Sequence, residues 1–235
     1  IVGQKEAIRA ISDVMIRQRS GIGAKSKPIG SFLFIGPTGV GKTETAKTLA
    51  NLFFKGEDNM LRLDMSEFSS DDSIKRLIGS FDTETDGVLV NKIKENPYSV
   101  LLLDEFEKAT RDVHNLFLQI IDEGFFSDYG GKRINCKNLI IIATSNAGNN
   151  FIWDVIEKGE NLMSKKDEIV DKIIENNMFT PELLNRFDDI ILFHPLSKED
   201  VFQISKILLG KTVGNLRLKG IKLKVDDVLI EFVSS

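Results

Sequence analysis

An α/β fold, a mostly parallel sheet covered by helices on both faces, is predicted by three features of the chain. Short apolar runs alternate with amphipathic helical stretches from Ser31 to Phe193, the pattern of strands joined through helices. The runs, Val100-Leu101-Leu102-Leu103 and Leu139 to Ala143 among them, are apolar at successive positions rather than at every second one, as in strands buried on both faces. At one strand-to-helix junction stands the octapeptide Gly36-Pro37-Thr38-Gly39-Val40-Gly41-Lys42-Thr43.

The first helix, Lys5 to Arg19, carries Ile8, Ile11, Val14 and Met15 on one face and runs into a glycine-rich, basic connector, Gly21 to Lys27. Ser31 to Ile35 reads as a strand. After the octapeptide, Ala46, Leu49, Ala50 and Phe53 recur at i, i+3, i+4 and i+7, the buried stripe of a helix. A strand follows at Leu61 to Asp64, then helical segments at Asp71 to Ile78 and Leu89 to Asn96, and a strand at Ser99 to Leu103. The helix Asp112 to Glu123 gathers Val113, Leu116, Phe117, Ile120 and Ile121 on one side and leads to a hairpin turning at Tyr129-Gly130-Gly131-Lys132. Leu139 to Thr144 is the next strand, irregular and helical sequence runs to Met178, and the strand Asp189 to Phe193 ends the alternation. Beyond His194-Pro195 the character changes. Ser197 is an N-cap for a helix marked by Val201, Ile204 and Leu208, and Ile221 to Val225 with Asp227 to Val233 read as the start of a smaller domain, unfinished at Ser235.

The octapeptide fits a phosphate-binding loop. Its glycines let consecutive backbone N–H groups turn inward around a triphosphate, and the N-terminal end of the following helix adds partial positive charge. Pro37, Thr38, Gly39, Val40 and Gly41 would form the cradle, Lys42 would reach the β and γ phosphates, and the Thr43 hydroxyl would hold Mg²⁺. ATP and magnesium are therefore the expected cofactors.

In a parallel sheet ligands bind at the carboxyl ends of the strands, so polar residues that end apolar strands are the candidates for chemistry. Val100 to Leu103 ends in Asp104-Glu105, one carboxylate to orient magnesium through its water shell and a second to polarise an attacking water. Leu139 to Thr144 ends in Ser145-Asn146, where the Asn146 amide holds the attacking water or touches the γ phosphate, or else caps the next helix. Arg186 precedes the strand Asp189 to Phe193 and so belongs to the opposite rim. It pairs with Asp188 or Asp189 on its own surface, or reaches a neighbouring subunit's nucleotide as an arginine finger.

With 42% hydrophobic residues in 235, the chain can bury a full core. A net charge of -4 without a basic block argues against nucleic acid as the main partner, and no apolar run reaches membrane-spanning length. The single cysteine, Cys136, forms no internal disulfide and no metal-ligand spacing with His114 and His194, so a reducing, cytoplasmic setting is the expectation. Because the chain begins at Ile1 without an initiator methionine, it reads as cut from something longer, and a targeting segment in the remainder stays open.

Taken together, the ordered motifs resemble the second, C-terminal ATPase module of Clp-type AAA+ unfoldases over nearly the whole chain. They are Ile1-Val2-Gly3-Gln4, Pro28 to Phe34, Gly36 to Thr43, Leu63-Asp64-Met65-Ser66-Glu67, Pro97-Tyr98-Ser99-Val100, Leu103-Asp104-Glu105 with Glu107-Lys108, Thr144-Ser145-Asn146, Pro181 to Arg186 and Phe193-His194-Pro195-Leu196. The resemblance implies a P-loop NTPase fold, with residues 1–195 as the AAA+ large domain and 196–235 as a truncated C-terminal lid. It makes Asp104 and Glu105 the Walker B pair, Asn146 the sensor, Arg186 a finger serving the next subunit, and Ile1 and Val2 part of the adenine pocket. Family members form hexameric rings that use ATP to pull on protein substrates threaded through a central pore. Two departures stand out. Where the family has a glycine-flanked pore tyrosine, this chain has the shorter, acidic Ser80 to Gly87, whose aromatic is Phe81, either a gripping residue or a core or loop phenylalanine. No Ile-Gly-Phe or Ile-Gly-Leu tripeptide, the element that docks peptidases, lies between Asn146 and Thr180. The first departure motivates an alternative, a nucleotide-dependent assembly or scaffold module that threads nothing.

Overall fold

A computed structural model of the chain describes residues 1–19, 26–82, 85–220, 223 and 225–234. In chain order its helices and strands are α1 (Lys5–Arg19), β1 (Gly30–Ile35), α2 (Lys42–Phe54), β2 (Met60–Asp64), α3 (Ser73–Ile78), β3 (Gly79–Ser80), β4 (Thr85–Asp86), α4 (Val88–Glu95) and β5 (Val100–Asp104). There follow α5 (Arg111–Glu123), β6 (Phe125–Ser127), β7 (Arg133–Asn135), β8 (Ile140–Ser145), α6 (Asn149–Glu157), α7 (Lys166–Glu175), α8 (Pro181–Leu184), β9 (Asp189–Leu192), α9 (Lys198–Leu218) and α10 (Asp227–Ser234).

Five strands form the main sheet in the order β2-β5-β8-β1-β9, every neighbouring pair parallel. Alternation along each strand divides the core into two layers. Phe32 and Phe34 of β1, Val100 and Leu102 of β5, and Ile140 and Ile142 of β8 face α1 and α2. Leu33 and Ile35, Leu101 and Leu103, and Ile141 and Ala143 face the larger layer, built from α3 to α8. Both faces are covered, which is why the strands are apolar at successive positions. Two small antiparallel pairs, β3–β4 and β6–β7, lie outside this sheet.

The register aligns the functional rim. Ile35 pairs with Ser145 and Asp64 with Asp104, so β1, β2, β5 and β8 end side by side. The Gly36 amide then donates to the Ser145 carbonyl at 3.3 Å, fixing the glycine-rich loop above β8. At the other rim the Asp188 amide donates to the Ser31 carbonyl at 2.9 Å, before β9 begins.

The periodicity of α1 is offset from expectation. Ala7, Ile11, Val14 and Met15 are buried, while Ile8 is 37% exposed and lies outside the packed face. Ser197 does cap α9, as a reciprocal capping box with Asp200, but Leu208 is 56% exposed. Much of the connector Gly21 to Lys27, and Ile221, Lys222 and Lys224 of the expected segment Ile221 to Val225, lie outside the described residues.

Candidate functional site

The loop between β1 and α2 is shaped by glycine where no side chain fits. Gly36 passes so close to the end of β9 that a Cβ there would fall 2.8 Å from the Phe193 carbonyl oxygen. Gly41, at φ +102°, is left-handed and opens α2 without a side-chain cap. The first-turn amides of α2 therefore face the cleft, where a helix N-terminus favours an anion.

Lys42 folds back over this loop. Its Nζ donates to the Gly36 carbonyl, to the Pro37 carbonyl at 2.9 Å and to Asn146 Oδ1 at 3.0 Å. Burial lowers its pKa to about 8, against the upward pull of Glu107, Asp104 and Glu105. Asn146 does not cap the next helix: the N-cap of α6 is Gly148, and the Asn146 side chain points at the lysine. The Asn146 backbone N–H donates to Glu107 Oε1 at 3.2 Å, while Glu107 Oε2 is buried without a partner.

The two acids after β5 are held differently. Both oxygens of Asp104 are engaged, Oδ1 by the Thr144 hydroxyl and Oδ2 by Arg62 Nη2 at 2.5 Å. Glu105 sits at φ 56°, ψ 46°, a left-handed conformation uncommon for a non-glycine residue. The reversal drives Phe106 into the core, edge-on to Phe117 with centroids 5.7 Å apart and stacked on Phe179 at 5.8 Å. Phe106 is the anchor, and Glu105 is left lining the same cleft as Thr38, Lys42, Thr43, Asp104 and Asn146. This donor set suits a magnesium-bound triphosphate: the hard oxygens of Thr43 and Asp104 for the cation, a lysine and a helix N-terminus for the phosphates.

Ile1 and Val2 do not line that cleft. They face an adjoining hollow with His194 and Gln203. Gln4, 2% exposed, connects the two. Its Nε2 donates to the Val40 carbonyl at 3.1 Å and to the His194 carbonyl at 2.8 Å, tying the first residues to the phosphate-type loop and to the end of β9.

Arg186 lies at the opposite rim, as expected, but with a different partner. Its Nε meets Asp122 Oδ2 at 2.9 Å, at the end of α5, where Lys27 also binds Asp122 at 3.2 Å. Asp188 is occupied by the amide and hydroxyl of Ser31, both at 2.8 Å, and Asp189 by Lys166 at 2.6 Å. The ion pair with Asp188 or Asp189 is therefore not formed. Phe81 is no core residue: it is 74% exposed and meets Tyr129, in the β6–β7 turn, edge-on at 5.4 Å. Thr83 and Glu84 of the segment Ser80 to Gly87 lie outside the described residues.

Four residues here had no role in the sequence reading: Gln4, Arg62, Thr144 and Glu107. Arg62 carried a usable signal. It is the charged residue that interrupts the apolar run of β2, and it pairs with Leu102, two residues before Asp104 on the same face of β5.

Among protein families, the AAA domain (Cdc48 subfamily) matches residues 27–190. The chaperone protein ClpB of Prochlorococcus marinus is 43% identical over 241 residues, covering 100% of this chain and 27% of that protein. ClpB of Clostridium perfringens is 47% identical over 234 residues, 97% of this chain and 26% of its own length. The chain thus spans about a quarter of the length of these relatives. A cryo-electron microscopy reconstruction of the closed state of Hsp104 with ATPγS and FITC casein superposes with a TM-score of 0.81, covering 91% of this chain and 37% of that one at 38% identity.

Proposed function

The chain belongs to the AAA domain (Cdc48 subfamily) family, and from that premise we propose that it is an ATP-hydrolysing module of a ring-forming motor that remodels polypeptides. The observation that carries this reading is the convergence, on one rim of the sheet, of Lys42, Thr43, Asp104, Glu105 and Asn146 around a single cleft. The likeness to ClpB chaperones, and to Hsp104 with its nucleotide analogue and casein, supports the substrate classes. The scaffold alternative finds no such support. Residues 1–195 are the nucleotide-binding unit in this reading and 196–235 the beginning of a lid. The ring is a hexamer of identical chains working in the cytoplasm, without a peptidase, nucleic acid or a membrane as partner.

Lys42 leaves its loop carbonyls for the β and γ phosphates, and the first-turn amides of α2 receive the remaining negative charge. Ile1 and Val2 flank the adenine, positioned through Gln4. Thr43 and Asp104 would hold magnesium, which would supply positive charge against the negative charge of the phosphates. Glu105 accepts a proton from the attacking water, and Asn146 orients that water against the γ phosphate.

The charge on Lys42 gives a pH test of the binding step. Phosphates require the protonated amine, and the free chain loses that proton as pH rises through about 8. Affinity for ADP is expected to hold up to that point and then fall by up to about tenfold per pH unit, with proton uptake on binding. Calorimetry in buffers of different ionisation heat, at pH values on either side of that point, measures both. A flat affinity with no proton uptake would remove Lys42 from the phosphates.

The motor reading is tested with the longer protein from which such a module comes, by unfolding of a tagged fluorescent substrate. ATP-dependent loss of fluorescence is expected, and Phe81→Ala is expected to lower its rate several-fold while ATP turnover stays within about twofold. ATP turnover with no unfolding under any condition would sink the motor in favour of a scaffold.

A further inference from the structure

We propose that Arg62 is a counter-ion that competes with magnesium for Asp104, so that it sets how strongly nucleotide binding depends on the metal. The inference rests on the nucleotide reading of the cleft and goes beyond it, because no role in the cleft has been given to any residue of β2. Three observations carry it. Arg62 Nη2 stands 2.5 Å from Asp104 Oδ2. The other oxygen, Oδ1, is taken by the Thr144 hydroxyl, so the guanidinium occupies the open side of the carboxylate. The Arg62 side chain is 56% exposed on the edge strand of the sheet and lines the same cleft as Lys42 and Thr43, whereas the Asp104 side chain is 17% exposed. A long side chain at an edge can swing into solvent or toward a phosphate, while the carboxylate it leaves stays fixed.

The consequence is a linkage. A divalent cation and a guanidinium both draw on the negative charge of one carboxylate, so each weakens the other's hold. Without magnesium, Arg62 offers a second positive charge to the phosphates beside Lys42. With magnesium, Arg62 must give up Asp104. Both effects narrow the gap between metal-free and metal-loaded affinity, and removing the guanidinium widens it. A purely structural role for Arg62 would lower the two affinities together and leave their ratio alone.

The test is the affinity of N-methylanthraniloyl-ADP, read by fluorescence in excess magnesium chloride and again in excess EDTA, for the native chain, Arg62→Ala and Arg62→Gln. The glutamine variant keeps length and polarity on the strand and carries the test if the alanine variant folds poorly. The ratio of the two dissociation constants, EDTA over magnesium, is expected to rise about fivefold in both variants, the effect of one partly exposed ion pair. Arg62→Lys, which keeps the charge without the planar fork, is expected to lie between. An unchanged or smaller ratio in the neutral variants overturns the inference while leaving the nucleotide reading intact. Failure of the native chain to bind the probe under either condition overturns both.

Discussion

Exchanging Glu105 for glutamine is expected to leave ATP bound with an affinity within about twofold of the native chain and to slow hydrolysis by about two to four orders of magnitude. The substitution is isosteric, and among the described residues the Glu105 carboxylate takes part in none of the hydrogen bonds or ion pairs that hold Lys42 and Asp104. The left-handed backbone at Glu105 is imposed from outside by Phe106, buried against Phe117, Phe179 and Phe187. Glutamine meets the same backbone requirement as glutamate there. Asp104 remains held by Thr144 and Arg62, and Lys42 by Asn146. What disappears is the carboxylate that follows β5 and lines the cleft beside Asp104, the group proposed to take a proton from water. Asp104→Asn makes the contrast. It removes the acceptor of the Arg62 ion pair and a magnesium-facing oxygen together, so it is expected to weaken metal-dependent binding as well as turnover. Single-turnover hydrolysis and equilibrium binding, measured separately, distinguish the two. Native-rate hydrolysis by the Glu105→Gln protein would remove Glu105 from the chemistry.

What the sequence disclosed and what it withheld follow a physical division. A strand buried on both faces must be apolar at every position, so β1, β5 and β8 could be found within a residue of their ends. A glycine-rich turn between such a strand and an amphipathic helix has few other uses, so Gly36 to Thr43 could be proposed as a phosphate loop on local grounds. Contacts across the fold are another matter. Nothing within α5 marks Asp122 as the partner of Arg186, because the two meet only when α5 returns from the rim of Glu105 to the rim of β9. The Arg62 pairing with Asp104 depends on strand order, which places β2 beside β5 although α3 and α4 separate them in the chain. Phe81 and Tyr129 come together from two separate hairpins. The exposure of Ile8 has the same origin: α1 rolls on β1 and β9 until Ala7 faces the core, and periodicity alone cannot select between adjacent stripes.

Arg186→Ala is expected to lower ATP turnover by about three orders of magnitude or more in the assembled ring while leaving nucleotide binding to the isolated chain unchanged. The geometry sets this asymmetry. Arg186 lies where the chain enters β9, at the rim of the sheet away from Lys42, Asp104 and Glu105, so it has no route to its own cleft. Its side chain is nonetheless 42% exposed, with the guanidinium held by Asp122, an aspartate that also binds Lys27. A half-exposed pair of this kind is worth at most about 1 kcal/mol, so the arginine can leave Asp122 for a phosphate at low cost. Asp122 keeps Lys27 as its counter-ion when that happens. Mixing then provides a test that loss of activity alone does not. Arg186→Ala subunits keep Glu105 and lack a finger, whereas Glu105→Gln subunits keep the finger and lack the base. Each preparation is expected to be nearly inactive alone. A one-to-one mixture that exchanges subunits restores about a quarter of the interfaces, those where an intact Glu105 receives Arg186 from its neighbour. Recovery of ATP turnover toward that fraction is the expected result. If the mixture stays as inactive as its parts while sedimentation shows mixed rings, Arg186 acts within its own subunit or holds the fold through Asp122, and the finger assignment fails.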